Sequence, residues 1–266
     1  MRTITVTTWE EFERQLVDHN ISVGPDFLFR GQHQSDWSLD TTLERRKQDQ
    51  MPLADYYRFI GAVQPQIEAF TNSRWEPTPT PDVIQKEGWA QEYEKFSLML
   101  TFGRVPAYSY MAYLRHHGFP SPLLDWTRSP YIAAYFAFRA ADQGNVAIYV
   151  YSERDFKTWC NDEAQIHTFG RYVQTHRRHF LQQSTYTVCL KHDLTSGWRF
   201  APHAGVFARG NTNQDILWKF TIPSTERLKV LKLLDTYNLN AFSLFESEES
   251  LMETVALREL ELTTAR

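Results

Sequence analysis

Apolar positions recur along this chain in two periods, and the switches between them mark its elements. Trp9, Phe12 and Leu16 fall on one helical face that Thr8-Trp9-Glu10-Glu11 opens in capping-box form, which predicts a short structural helix. Residues 26–30, DFLFR, read as a strand that carries Arg30 out at its end, with Gly31 permitting close backbone approach. Pro77, Pro79 and Pro81 alternate with threonines over residues 74–84, a loop or stiff connection that borders an expected insertion at 71–100. Beyond it, Trp89, Tyr93, Phe96 and Leu100 return at helical spacing, so residues 89–113 read as mainly helical and their rings as core.

The second half alternates between strands and helices. Gly144-Asn145 precedes VAIYVY, a buried strand by its β-branched and aromatic content, and residues 184–190 and 216–222 read as two more. Ser129-Pro130 starts a helix whose Tyr131, Ala133, Ala134, Phe136, Ala137 and Phe138 are apolar nearly all round, which predicts an internal helix. Pro223-Ser224 starts another with Leu228, Leu231 and Leu234 inward, and Ser250-x-x-Glu253 reads as the cap of a last one. No regular β-α-β rhythm joins them, so the pattern predicts an α+β body rather than a doubly wound sheet, with residues 1–266 as a single domain.

Composition narrows the classes. At 266 residues, with 42% hydrophobic and 15% aromatic content, the chain has enough apolar material for a substantial core. A net charge of −4 supplies no global field toward nucleic acid, so any such contact must be local. Cys160 and Cys189 stand far apart, which fits a reducing compartment, and neither a signal-like start nor a membrane-length apolar run occurs; the expectation is a soluble, cytoplasmic protein. There is no P-loop, dinucleotide fingerprint, nucleophile elbow or His-Glu-x-x-His pair. His192-Asp193 and the i,i+3 pair His176/His179 are thin metal hints, and no metal is expected.

Candidate chemistry concentrates in residues 113–138, YLRHHGFPSPLLDWTRSPYIAAYFAF. There the polar tetrad Asp125-Trp126-Thr127-Arg128 interrupts an apolar run just before the internal helix. One reading aims that helix's N-terminal amides, with Thr127, at an anionic group. Another has Thr127 or Ser129 capping the helix and Asp125 pairing with a nearby arginine.

The same stretch resembles the signature of FRG-domain proteins, Gln-His-x-Gly-x-Pro-Thr-x-Leu-Leu-Asp-Trp-Thr followed by Pro and an Ala/Phe-rich helix. His116, Gly118, Pro120, Leu123, Leu124, Asp125, Trp126, Thr127, Pro130, Ala134 and Phe136 fit it, while Arg115 replaces the Gln and Ser121 the Thr. Phe27-Leu28-Phe29-Arg30-Gly31-Gln32 is similar to the N-terminal signature that names the family. Arg178, Gln182, Gln183 and Thr187 match a third segment, with Ser184 for Gly and Tyr186 for Phe, and the tail ILWKFTIPSTERLKVLKLLDTYNLNAFSLF resembles the family's usual end.

The resemblance implies a divergent relative of ADP-ribosyltransferases, with a split mixed or antiparallel β core that holds NAD as substrate. Phe29, Arg30, Gly31, Gln32, Trp126 and Thr127 would then line the NAD site. Arg30 would grip phosphate or ribose oxygens by paired donors, and Thr127 would bond the nicotinamide-side ribose. Gln182 would take the late catalytic position. Residues 179–192 contain no Asp or Glu, so the positive ribosyl centre would be stabilised by Gln182 through hydrogen bonds or by Asp125. His116, titrating near pH 6.5 as a free side chain, would serve as base. The implied biology is the toxin of a bacterial toxin-antitoxin or anti-phage system, with an antitoxin protein as partner.

The acceptor is not written in the motifs. For RNA or another nucleic acid, Arg171, His176, Arg177, Arg178 and His179 with Tyr172 and Phe180 form the best basic and stacking patch, although a solvated helix face has the same pattern. A nucleotide- or RNA-binding module without catalysis, and a nuclease-like toxin, are the competing classes.

Overall fold

The computed structural model describes residues 1–24, 26–46, 50–79, 105–153, 163–169, 175–193, 197–207 and 215–263. Trp89, Tyr93, Phe96, Leu100, Pro81, Cys160, Arg171 and Tyr172 lie outside the described residues, as does most of the expected insertion. The strands are β1 (Arg2–Thr5), β2 (Leu28–Gln32), β3 (Leu124–Thr127), β4 (Asn145–Ser152), β5 (Gln165–Phe169), β6 (Ser184–Asp193), β7 (Gly197–Phe200) and β8 (Ile216–Pro223). The helices are α1 (Trp9–Asp18), α2 (Leu53–Thr71), α3 (Tyr108–His116), α4 (Pro130–Phe138), α5 (Arg178–Leu181), α6 (His203–Phe207), α7 (Arg227–Thr236), α8 (Ala241–Phe245) and α9 (Glu248–Ala256). The fold is α+β.

The described strands form one eight-stranded mixed sheet in the order β1-β8-β4-β2-β3-β6-β5, with β7 paired to β6. Only β1 and β8 run parallel; the other described pairings are antiparallel. In β4, Val146, Ile148 and Val150 face a core built with α1, α4 and α7, while Ala147, Tyr149 and Tyr151 face a second core on the opposite side. Burial on both faces explains the unbroken apolar run of this strand.

The sheet is split in its middle. β2 pairs with β4 along its whole length, from Leu28 opposite Tyr151 to Gln32 opposite Ala147. β3 pairs with β6 along its whole length, from Leu124 opposite Thr187 to Thr127 opposite Ser184. Between β2 and β3 the register holds a single pair, Phe29 opposite Thr127. Past that rung the strands diverge, and Arg30 projects from mid-strand rather than from the strand end expected at 26–30.

α4 closes one face of β2. Ser129 caps it by accepting from the Ile132 amide, Pro130 occupies its first turn, and Ile132 and Phe138 are 1% and 0% exposed. Each such side chain contributes about 2 kcal/mol on leaving water. Gly31 makes the approach possible: a Cβ there would sit 1.9 Å from the Ala133 carbonyl oxygen and 2.6 Å from the Ala137 amide nitrogen. The close backbone approach expected at Gly31 is therefore made by this helix.

Asp125, Trp126 and Thr127 belong to a strand. Two local expectations are corrected. α7 buries Leu231 and Leu234 as expected, with Val230 beside them, but leaves Leu228 only half-buried. α9 is capped by Ser247, with Ser250 as the returning partner of that capping box. α1 follows its pattern, with Thr8 accepting from the Glu11 amide and Trp9, Phe12 and Leu16 buried.

Candidate functional site

A cavity of about 540 Å³ opens where β2 and β3 part. Among the described residues its walls carry Arg30, Arg45, Arg115, Arg139 and Arg178, with one carboxylate, Asp125. Thr127, Gln182 and Ser184 line it from the β3–β6 side, and Gln32, His33 and Trp37 from the end of β2. Arg30, Thr127 and Gln182, separated in sequence, thus share one cleft.

Arg30 spans the split. Its Nη1 donates to the Asp125 backbone oxygen at 2.8 Å, replacing the ladder bond that the divergent strands do not make. Its buried Nε has no protein partner. Burial lowers its pKa to about 10, opposed by Asp125 and reinforced by Arg115 and Arg45, so the guanidinium remains charged at neutral pH. The Asp125 carboxylate pairs with Arg115 at 2.6 Å through Oδ2, while its buried Oδ1 is unpartnered. The arginine pairing envisaged for Asp125 therefore occurs, and the partner is the residue that stands in place of the motif's Gln.

Among the described residues the charge in the cleft does not balance. Arg115 is paired with Asp125, and Arg139 with Glu253 at 2.6 Å. Among the described residues, no carboxylate lies within ion-pairing distance of Arg30, Arg45 or Arg178. Arg45 is exposed and Arg30 and Arg178 are partly buried, and the mutual repulsion of these cations is relieved when an anion joins them.

Aromatic rings stand among the guanidiniums. Arg139 and Arg178 lie over the Phe245 ring, 4.9 and 5.4 Å from its centroid, and Arg45 lies 5.8 Å from that of Trp37. α8 also fixes Gln182, whose Nε2 donates to the Leu244 carbonyl at 3.1 Å. Oε1 is left as the end of Gln182 able to accept.

Several expected site residues have other tasks. Thr127 lines the cleft, but its Oγ1 accepts from the Ser129 amide at 3.3 Å, leaving its hydroxyl proton to donate. The part of α4 that reaches the cleft is its C-terminal end, Phe136 with the following Arg139 and Ala140, so its N-terminal amides do not form an anion site there. Phe29 is fully buried in the core. Trp126 is 3% exposed and donates from Nε1 to Thr187 Oγ1 at 2.8 Å, and that hydroxyl meets His203 Nε2 at 3.0 Å. Burial lowers the His203 pKa to about 3, so its ring is neutral at physiological pH.

His116 Nε2 meets the Tyr186 hydroxyl at 2.6 Å, and His179 Nδ1 meets the same hydroxyl at 3.3 Å. Burial lowers the His116 pKa to about 4, with Asp125 opposing and His179, Arg115 and His176 assisting. Its ring is neutral at physiological pH and much less basic than free imidazole. His179 is 3% exposed and stacks on Tyr186, so it does not belong to an acceptor surface. Of the expected basic patch, Arg178 turns into the cleft, and Arg177 stays outside, paired with Glu246 at 2.9 Å.

Arg45, Arg139, Trp37 and Phe245 escaped the reading of the sequence, because each sits in a context that a surface would also produce. Arg115 did carry a signal, as a motif departure one helical residue before His116.

Fold and cleft together define an α+β protein with an arginine-lined pocket in a split sheet. A family model of the FRG domain matches residues 25–145, and this part of the chain is an FRG domain. No curated protein and no solved structure matches the chain. The match covers β2, α2, α3, β3 and α4; Arg178, Gln182 and Phe245 lie beyond it. Among the described residues, no helix is long and apolar enough to cross a membrane.

Proposed function

We propose that this chain is an ADP-ribosyltransferase that consumes NAD, acting as the toxin of a toxin-antitoxin or anti-phage system on a nucleic acid acceptor, RNA in the first place. The observation that carries this reading is the set of uncompensated guanidiniums Arg30, Arg45 and Arg178 around a cleft that also holds Thr127, Gln182 and Asp125. A pyrophosphate supplies the missing negative charge, and paired guanidinium donors suit its oxygens. Thr127 donates its hydroxyl proton to a ribose oxygen.

In the reaction the bond between ribose C1′ and the nicotinamide nitrogen breaks, and nicotinamide leaves with the electron pair. The acceptor oxygen or nitrogen bonds to C1′ and releases its proton to solvent water. Asp125, through the unpartnered Oδ1, stabilises the oxocarbenium-like centre, and Gln182 Oε1 accepts from the incoming acceptor. His116, tied to Tyr186, holds the wall on which Asp125 sits; Asp125 and Tyr186 face each other in the β3–β6 register.

One observation favours a second reading. The Asp125 carboxylate is committed to Arg115 at 2.6 Å, which offsets the charge that catalysis would need and suits a nucleotide-binding module without turnover. Incubating the purified chain with NAD labelled in the adenylate, alone and with RNA, DNA or protein, separates the two. Label transferred to one macromolecule with release of nicotinamide supports the transferase. NAD binding without consumption in any mixture leaves the binding module. Absence of NAD binding refutes both.

A further inference from the structure

The arginine-lined cleft does not end at Arg45. A second cavity of about 410 Å³ adjoins it, lined by Asp36, Trp37, Ser38, Asp40 and Arg45, so Trp37 and Arg45 are common to both. The two spaces differ in chemistry: the first holds excess positive charge, the second an indole and two carboxylates with Arg45 at the boundary. We propose that this second cavity is the subsite for the adenosine half of the dinucleotide, with the purine stacked on Trp37, the ribose diol toward Asp36 and Asp40, and the adjoining phosphate on Arg45. The assignment rests on the NAD reading given above and adds the direction in which the dinucleotide lies.

Trp37 is built as a platform. It is 37% exposed, yet its backbone is anchored: Tyr149 donates from its hydroxyl to the Trp37 carbonyl at 3.2 Å. Gln32 Nε2 donates to the Ser38 carbonyl at 3.2 Å, the Ser35 amide donates to the Asn145 carbonyl at 2.8 Å, and Lys219 bonds the Ser35 carbonyl. The loop after β2 is thus tied to β2, β4 and β8. His33 meets the indole edge-on with ring centroids 4.3 Å apart, and the ring stands in a fixed attitude. An exposed, pre-positioned indole beside a phosphate-sized positive site is the arrangement by which proteins stack a nucleobase.

Direction follows from the sheet. Thr127 and Gln182, which serve the reacting ribose, lie on the β3–β6 side of the split, whereas Trp37 is anchored to Tyr149 on β4. β2 with Arg30 lies between them. The pyrophosphate therefore crosses β2, and the nucleoside beyond it, on the far side from the chemistry, is adenosine. Carboxylates accept from vicinal hydroxyls, so Asp36 and Asp40 suit a ribose whose phosphate is already held by Arg45.

Calorimetric titration of the full chain and its Trp37→Ala variant with AMP, ADP-ribose and nicotinamide mononucleotide tests the assignment. Trp37→Ala should lower affinity for AMP and ADP-ribose about tenfold, as loss of one stacked base does. Affinity for nicotinamide mononucleotide should stay within about twofold, and Trp37→Phe should restore most of the AMP affinity. An unchanged melting temperature in the Ala variant confirms that only a partly exposed ring was lost. Equal affinity of variant and parent for AMP overturns the subsite while leaving the NAD reading standing. A loss confined to nicotinamide mononucleotide overturns the direction, and a parent that binds none of these ligands overturns both the subsite and the NAD reading.

Discussion

The Arg30 guanidinium bridges the two halves of the sheet by donating to the Asp125 backbone oxygen at 2.8 Å, just past the Phe29–Thr127 rung that joins β2 to β3. A single side chain therefore both closes the gap in the ladder and presents charge to the cleft.

Arg30→Ala is expected to lower nucleotide affinity by roughly ten- to a hundredfold, as loss of a charge-assisted donor pair does. Its effect on stability should be smaller, about 1 kcal/mol, since deletion removes a hydrogen bond but also relieves a buried cation crowded by Arg45 and Arg115. Arg30→Lys should recover charge but not affinity. Denaturant melts beside binding isotherms check the split; a large fall in stability would mark Arg30 as primarily structural.

Gly31→Ala should destabilise by roughly 3 kcal/mol or more, because the new methyl meets backbone atoms of Ala133 and Ala137 that have no rotamer by which to yield. Urea unfolding of the variant measures this directly. A near-neutral result would mean that α4 slides away from β2 without penalty.

Gln182→Ala should reduce turnover roughly a hundredfold with NAD binding retained, if its contact strengthens in the transition state. Gln182→Glu would set a carboxylate against the Leu244 carbonyl, two acceptors face to face, and should also detach α8 from the cleft wall. Asp125→Asn is the companion variant. Single-turnover kinetics on all three decide which residue stabilises the ribosyl centre: loss with Asp125→Asn alone assigns it to Asp125, and parental rates in every variant remove both.

Stability should fall as the medium is acidified from pH 6.5 toward 4. The folded His116 ring takes a proton only near pH 4, whereas the unfolded ring takes it near 6.5, so its contribution is intact above 6.5 and is lost through that window. His203, lowered to about 3 by burial, acts in the same sense. Each ring steepens the dependence by up to about 1.4 kcal/mol per pH unit. Unfolding midpoints against pH for the parent, His116→Gln and His203→Gln check the prediction, and variants with the parent's slope would contradict it.

Legibility in the sequence tracked how local each cause was. α1 and α4 were readable because period, cap and proline lie within a few residues of one another. The half-burial of Leu228 in α7 was not, because period alone groups it with Leu231 and Leu234, while Val230 takes the buried place beside them. The motifs brought Arg30, Thr127 and Gln182 to attention, and the structure sets them around one cleft. Periodicity told that α4 is buried but not which of its ends meets the cleft; Ser129 caps its N-terminus, and the end with Phe136 and Arg139 lines the cleft. Trp37, Arg45 and Phe245 enter only through tertiary folding, and no local pattern marks them.

The boundary of the family match carries a practical consequence for dissecting the protein. Residues 25–145 contain β2 and β3, but the match stops where β4 begins, and β6 lies wholly outside it. A fragment cut at 145 would keep the signature residues while stripping β2 of its long partner and β3 of its own, leaving two bare edges joined at one rung. Such edges invite pairing between copies, and the fragment is expected to aggregate rather than to act as a portable module. Exchanges between homologous chains that aim to transplant the cleft must run on through Phe245, since Arg178, Gln182, Ser184 and Phe245 of its lining come from downstream of the signature.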